Sequence, residues 1–108
     1  MNRLPLTTKP MLLTLLIAGS FGLATTARAA GDIAAGKVSA SGCAMCHGPN
    51  GEGNQMGPKL AKMDPAKFIQ AMNDFKSDKR DNAMMKRLTS QLSADDISNQ
   101  AAYYGSLK

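Results

Sequence analysis

The chain has 108 residues and a formal net charge of +5, from 13 basic and 8 acidic side chains. Three of the basic residues lie within the first 29 positions, so the remainder carries only a small positive excess and gives no argument for nucleic-acid binding, which calls for a basic patch. With two cysteines and one histidine, the chain also lacks the ligands that a zinc site of these residue types needs.

Residues 1–29 have the pattern of a secretory signal peptide. Arg3 and Lys9 supply positive charge, an apolar run follows from Met11 to Leu23, and the segment ends in the small residues of a cleavage site, Ala27-Arg28-Ala29. The apolar run is shorter than the ~20 residues that cross a bilayer. We therefore expect a cleaved signal rather than an anchor, a periplasmic location, and no membrane span in the mature form.

Residues 30–108 are expected to form one small domain, which at this size buries a limited apolar core and is often marginal without a covalent or metal staple. A first helix is predicted after Asp32 as N-cap, with Ile33, Gly36 and Ala40 on one face. A glycine inside a helix costs up to about 1 kcal/mol relative to alanine. Gly36 therefore indicates either a close helix crossing or a glycine that is merely tolerated.

The pentapeptide from Cys43 to His47 matches the Cys-x-x-Cys-His signature of c-type haem attachment. Two thiols three positions apart on one helical turn point the same way, so both can add to the vinyl groups of one porphyrin while the adjacent imidazole binds the iron. A thiol–disulfide couple is the alternative, but it is expected in a βαβ pattern that this sequence does not have. The motif predicts one haem c, attached through Cys43 and Cys46, with His47 as an iron ligand.

Residues 48–60, which follow the motif, contain four glycines and no periodicity and are predicted to form a loop. A backbone carbonyl in this loop is expected to accept the Nδ1 proton of His47, because metal-bound histidines are usually oriented in this way. Pro58 is the candidate for that carbonyl, and an ordinary turn is the alternative.

Two more helices are predicted in the second half of the chain. Asp64 as N-cap and Pro65 at the first helical position begin one of them. Its apolar stripe consists of Phe68, Met72 and Phe75. The charged run 76–82 is expected to leave this helix for solvent. Ser93 and Asp96 then form a capping box that begins the last helix.

The second axial ligand of the iron must be a methionine or a lysine, or be absent, because the chain has a single histidine. Met84 and Met85 lie beyond the second long helix, where the chain can return over the haem face opposite His47. The other methionines of residues 30–108 lie in the attachment turn, in the loop, before a helix or on its stripe: Met45, Met56, Met63 and Met72. Position alone does not choose between Met84 and Met85.

The order of these motifs resembles that of the small class I c-type cytochromes, particularly short bacterial periplasmic forms and the halves of dihaem cytochromes. The segments that carry the resemblance are Ala35–Lys37, Cys43–Gly48, Gly57–Leu60, Phe75–Ser77, Asn82–Met85, Leu92–Ile97 and Ala101–Tyr104. It implies an all-α fold of three to five helices around one haem. It also implies that Met85 is the second iron ligand and that the Pro58 carbonyl contacts His47.

Five positions can be compared with the family pattern. The resemblance implies that Gly36 of the first helix crosses the aromatic Tyr103 of the last. Gln100 stands where an apolar residue is usual, and Asp78 and Gln91 stand where glycine is frequent. Of these departures, Gln100 bears on how tightly the terminal helices pack.

The resemblance implies an electron-transfer protein rather than an enzyme, because protein ligands on both axial positions leave no place for substrate on the iron. The segment 71–87 is also similar to the cytochrome subunit of flavocytochrome c sulfide dehydrogenase, so a haem subunit with a flavoprotein partner is the alternative. A five-coordinate gas-binding or peroxidase-like protein is a third possibility.

Other redox proteins are the expected partners, and basic residues bracket Met85. These residues form either a docking rim for an acidic partner or ordinary solvated charge. They are Lys76, Lys79, Arg80, Lys86 and Arg87.

Overall fold

Five α-helices follow one another in residues 31–108, the part of the chain that the computed structural model describes. They are α1 (Ile33–Ser39), α2 (Ala44–His47), α3 (Pro65–Lys76), α4 (Ala83–Thr89) and α5 (Ala94–Ser106). The all-α prediction is thus confirmed for these residues, and none of their helices is long and apolar enough to cross a bilayer. The predicted signal peptide, residues 1–29, lies outside the described residues.

The predicted N-caps of α1, α3 and α5 are present. The carboxylate of Asp32 accepts a hydrogen bond from the amide of Ala35 at 3.0 Å, and that of Asp64 accepts from two amides of the first turn of α3 at 2.9 and 3.2 Å. In the capping box, Ser93 Oγ accepts from the Asp96 amide and the Asp96 carboxylate accepts from the Ser93 amide, both at 3.0 Å. The hydrogen bonds from the Ser93 backbone and then from its side chain lower the pKa of Asp96.

Helices α1 and α5 cross at Gly36. A Cβ atom at this position would lie 2.0 Å from the carbonyl oxygen of Asn99 and 2.9 Å from the Cβ of Tyr103. Next to the crossing, the amide of Asp32 donates to Asn99 Oδ1 at 2.8 Å. The crossing predicted from the sequence is confirmed, and Gly36 is required there rather than tolerated.

The core lies between α3 and α5. Phe68 and Met72 of α3 are buried, and the rings of Phe68 and Tyr104 have centroids 5.6 Å apart. Tyr104 also packs against Tyr103, with 5.1 Å between ring centroids. Phe75, the third member of the predicted stripe, is only partly buried. Of the predicted stripe, Phe68 and Met72 therefore pack in the core, and Phe75 lies at its edge.

Gln100, at a position where the resemblance implies an apolar residue, is fully buried in α5. Its Nε2 donates to the carbonyl oxygen of Ser39 at 3.2 Å, which links α5 to the end of α1. Because a carbonyl only accepts, the nitrogen of the amide must face Ser39. The other amide atom, Oε1, has no hydrogen-bond partner among the described residues.

No helix is predicted for residues 83–89 from the sequence, and α4 is a finding of the structure. Helix α3 ends at Lys76, and Asp78 then adopts a left-handed backbone conformation with φ of 64°. Asn82 caps α4 by accepting a hydrogen bond from the amide of Met85 at 3.0 Å. The charged segment between the helices is thus a short turn that directs α4 back along α3.

Candidate haem-binding site

A cavity of about 410 Å³ lies among α2, α3, α4 and the loop that follows α2. Cys43, Cys46 and His47 all line it, as the attachment motif requires. Most of its wall is apolar, and the side chains from α3 and α4 that contribute are Phe68, Ala71, Met72, Phe75, Met84, Met85 and Leu88. An apolar wall that contains two thiols and an imidazole fits a covalently attached porphyrin.

His47 is buried, with 7% of its surface exposed. Its amide donates to the carbonyl of Cys43 at 3.0 Å, which places the imidazole at the end of α2. The Nδ1 atom lies 2.7 Å from the carbonyl oxygen of Pro58. Because that oxygen only accepts, Nδ1 carries the proton of the neutral ring and Nε2 keeps its lone pair. This tautomer is the one that can bind a metal ion through Nε2.

The backbone of Gly57 passes close to the imidazole, a role that the sequence did not predict. A Cβ atom at Gly57 would lie 2.9 Å from both Cε1 and Nδ1 of His47 and 2.8 Å from the carbonyl oxygen of Cys46. The close approach of the backbone therefore requires glycine. The Gly-Pro pair in the loop is the sequence signal that could have pointed to it.

The loop after α2 is held together by backbone hydrogen bonds. The amide of Gly53 donates to the carbonyl of His47 at 2.7 Å, and the carbonyl of Gly51 accepts from the amides of residues 60 and 61 at 2.8 and 2.9 Å. The side chain of Asn54 accepts from the amide of Gly57 at 3.3 Å and from that of the preceding residue at 2.7 Å. The loop, predicted as irregular, is thus a fixed support for Pro58.

Cys43 and Cys46 are both free and partly buried. Burial raises the pKa of the Cys43 thiol, and this effect exceeds the lowering caused by a hydrogen bond from Tyr104. Burial and the neighbouring Cys43 likewise raise the pKa of Tyr104. Both groups are therefore protonated at neutral pH.

Met84 and Met85 both line the cavity but differ in burial. Met84 is 59% exposed, whereas Met85 is partly buried and packs against the core. The backbone of Met85 is tied at both ends, because its amide donates to Asn82 and its carbonyl accepts from Thr89 Oγ1 at 2.8 Å. Thr89 is itself completely buried.

The remaining methionines occupy varied positions. Met72 is a core residue that also reaches the cavity, in agreement with its place on the stripe. Met56 and Met63 line the cavity from the loop and from the approach to α3, and Met56 is 73% exposed. Met45, in the attachment turn, is 81% exposed.

The basic residues that the sequence grouped into a docking rim fall into two sets. Lys86 Nζ donates to the carbonyl of Lys76 at 2.7 Å and to the Asp78 carboxylate at 2.8 Å, so it ties α4 to the end of α3. The ammonium group of Lys76 is likewise bonded to a backbone carbonyl, that of residue 92. Both ammonium groups are therefore held by contacts within the protein, and the docking rim stays a prediction. The side chains of Lys79 and Arg87 have no hydrogen-bond or ion-pair partner among residues 31–108.

Comparison with known proteins gives consistent matches. The family model of cytochrome c matches residues 33–108. Cytochrome c4 of Pseudomonas aeruginosa is 38% identical over 99 residues, which cover 91% of this chain and 48% of that protein. The cytochrome subunit of sulfide dehydrogenase from Chlorobaculum tepidum is 30% identical over 99 residues, which cover 86% of this chain and 90% of that protein.

Among solved structures, the cytochrome c4 of Acidithiobacillus ferrooxidans matches with a TM-score of 0.62 and 24% identity, over 74% of this chain and 54% of that one. This match agrees with the five-helix architecture described above. The chain spans about half the length of the cytochrome c4 relatives and most of the length of the sulfide dehydrogenase subunit.

Proposed function

This chain belongs to the cytochrome c family, and on that premise we propose that it is a periplasmic one-electron carrier whose haem iron is bound by His47 and Met85. The haem is attached covalently through Cys43 and Cys46. When bound, it supplies an iron that accepts and releases single electrons. The observation that carries the proposal is the buried His47, whose Nδ1 proton faces the Pro58 carbonyl and whose Nε2 is left as a metal ligand.

Burial and backbone contacts support Met85 over Met84 as the second ligand. An axial ligand must stay in one position and be shielded from water. Met85 packs against the core and has a hydrogen-bonded amide and carbonyl, whereas Met84 is more than half exposed. A methionine opposite a histidine raises the reduction potential of the iron. This arrangement suits a carrier that receives electrons and passes them on.

Two single substitutions test the ligation. Met85→Leu in the haem-loaded protein should abolish the absorption band that ferric haem shows when sulfur is its axial ligand, and it should lower the reduction potential. Met84→Leu is the matched control and should leave both unchanged. Loss of the band in Met84→Leu but not in Met85→Leu would identify Met84 as the ligand instead. Rapid binding of carbon monoxide to the reduced wild-type protein would instead favour the five-coordinate alternative.

The periplasmic location is supported by the signal-peptide pattern of residues 1–29. It also agrees with the chemistry, because covalent haem attachment takes place outside the cytoplasm. Mass spectrometry of the protein from a periplasmic fraction should give a chain that begins at Ala30. A full-length chain in the membrane fraction would contradict this part of the proposal.

A second candidate function is that of a haem subunit in an enzyme complex. It is favoured by the Chlorobaculum protein, a sulfide dehydrogenase subunit that this chain matches over nine-tenths of its length. Size-exclusion chromatography of the native protein, combined with flavin absorbance, separates the two functions. A free carrier should elute alone and without flavin, and co-elution with a flavoprotein would identify a subunit.

A further inference from the structure

Tyr104 of α5 is a buried residue that is joined to the haem-attachment motif. Its hydroxyl forms a hydrogen bond with the sulfur of Cys43. The tyrosine is only 2% exposed, and Cys43 packs against the core cluster to which Tyr104 belongs. Cys43 lines the haem cavity, whereas Tyr104 lies behind its wall. The tyrosine can therefore act on a bound haem through the Cys43 sulfur.

Close packing holds the ring of Tyr104 in place. The ring of Phe68, from α3, has its centroid 5.6 Å away. The backbone of Gly51, from the loop after α2, also lies against the ring, because a Cβ atom there would be 2.7 Å from Cε1 and 2.8 Å from Cδ1 of Tyr104. The carbonyl of Tyr104 accepts from the amide of Lys62 at 2.9 Å. The direction of the hydroxyl toward Cys43 is thus fixed by the fold.

Haem attachment changes the chemistry of this contact. When the thiol of Cys43 adds to a vinyl group, its sulfur bonds to one vinyl carbon and its proton goes to the other. The resulting thioether sulfur has no proton, so it can only accept a hydrogen bond. Burial raises the pKa of Tyr104, and its hydroxyl therefore keeps a proton to donate at neutral pH. In the haem-loaded protein, the donor of this hydrogen bond must be Tyr104.

We propose that Tyr104 raises the reduction potential of the haem by donating a hydrogen bond to the thioether sulfur of Cys43, which rests on the haem-carrier function proposed above. The positive end of the O–H dipole then lies next to an atom that is bonded to the porphyrin. This dipole favours the form of the haem that holds one more electron, and burial strengthens the effect because it excludes water. Hydrogen bonds from outside the ligand set are among the means by which a protein sets a haem potential.

The test compares two haem-loaded variants, Tyr104→Phe and Tyr103→Phe. Each removes one hydroxyl oxygen and keeps the aromatic ring, so Tyr103→Phe is the matched control. The potential of Tyr104→Phe should fall, and the ratio of reduced to oxidised protein at a fixed solution potential should decrease roughly two- to fivefold, because part of the free energy of a neutral hydrogen bond differs between the two redox states. The C–S stretching mode of the thioether should shift in resonance Raman spectra. Tyr103→Phe should match the wild type in both measurements.

A second measurement uses the tyrosine content of the chain. The sequence has two tyrosines, so Tyr104 is the only one left in Tyr103→Phe. Supplying 3-fluorotyrosine during expression of this variant therefore labels position 104 alone. Fluorine makes the neighbouring hydroxyl a stronger hydrogen-bond donor, so at mildly acidic pH the potential should rise above that of the unlabelled variant. Loss of packing does not produce such a rise, and the label decides the question if Tyr104→Phe does not accumulate.

The proposal is overturned if Tyr104→Phe and Tyr103→Phe have the same potential, or if fluorotyrosine leaves the potential unchanged. It is also overturned if Tyr104→Phe loses the absorption band of sulfur-ligated ferric haem, the sulfur–iron band, because a displaced iron ligand then explains the lower potential. Failure of the proposed function looks different. In that case the wild-type protein itself lacks the sulfur–iron band, whereas a failure confined to Tyr104 leaves this band in the wild type.

Discussion

The two sides of the haem cavity are supported in different ways. On the His47 side the contacts come from backbone: the Pro58 carbonyl faces Nδ1, and the Gly57 backbone lies against the ring. On the Met85 side the contacts come from side chains of a seven-residue helix and the turn before it, among them the link from Lys86 to the end of α3.

Because of this difference, we expect the two sides of the cavity to differ in their stability toward unfolding. The backbone contacts of His47 connect residues close in sequence, so they form as soon as the loop closes and cost little side-chain entropy. The Lys86–Asp78 pair is 38% and 75% exposed in its two side chains, and exposed ion pairs contribute about 0–1 kcal/mol. We therefore expect the contacts on the Met85 side of the cavity to break before those on the His47 side when the protein is heated or exposed to denaturant.

The largest effect is expected for Gly57→Ala. The added methyl group must displace the His47 ring or the backbone beneath it, and overpacking of this kind costs about 1–3 kcal/mol. The free energy of unfolding of the haem-loaded protein, from a denaturant titration, measures this loss. Pro58→Ala is the control, because alanine keeps the carbonyl that faces His47. Equal destabilisation by both changes would mean that the close approach of Gly57 is unimportant.

A smaller and more selective effect is expected for Lys86→Gln. It removes both links from α4 to the end of α3, so the sulfur–iron band should be lost at a lower temperature than in the wild type. The corresponding loss of free energy on the Met85 side should be up to about 1 kcal/mol. The helical signal in circular dichroism should change less. Arg87→Gln, with the same charge change and no partner to lose, should match the wild type. If both variants behave alike, the links do not hold Met85.

Two substitutions of Asp78 distinguish the contribution of its ion pair with Lys86 from that of its left-handed backbone conformation. Asp78→Asn removes the charge but tolerates the left-handed conformation, so it should destabilise by a few tenths of a kcal/mol, about the contribution of an exposed pair. Asp78→Gly also removes the strain and should be more stable than Asp78→Asn by up to about 1 kcal/mol. Thermal unfolding of the two variants measures the difference, and the opposite order would show that the positive φ is not strained.

The smallest effect is expected for Asp96, which lies in the first turn of α5, the helix that packs against both α1 and α3. Hydrogen bonds lower its pKa in the folded protein, so its contribution to stability is present above the unfolded value near 3.8 and is lost as the pH falls through the folded value. The free energy of unfolding should depend less on acid pH in Asp96→Asn than in the wild type. Because α5 supports the whole domain, acid should weaken both sides together. Selective loss of the sulfur–iron band would contradict this.

Local signals in the sequence predicted much of this architecture. The caps at Asp32, Asp64 and Ser93 are formed by residues within a few positions of each other, so the starts of three helices could be recognised. The attachment motif is equally local. Helix α4 escaped prediction because it is short and its cap, Asn82, lies at the end of a charged run.

Roles that depend on distant contacts could not be predicted from the residues alone. Lys86 looks like a surface charge in the sequence, and only the fold brings it to a carbonyl at the end of α3. Gly57 looks like a loop glycine until the backbone passes under His47. Gln100 is polar in sequence and fully buried in the structure, where Ser39 is its partner.

The backbone contacts of His47 also bear on how fast an electron carrier can work. Electron transfer slows when the ligands of the metal must move as its charge changes. An imidazole with the Gly57 backbone against its ring and the Pro58 carbonyl at Nδ1 has little freedom to rotate or retreat. With His47 bound to the iron as proposed, the loop would lower the structural reorganisation that accompanies each oxidation and reduction. A glycine in a polar loop would thus contribute to the rate at which the haem exchanges electrons.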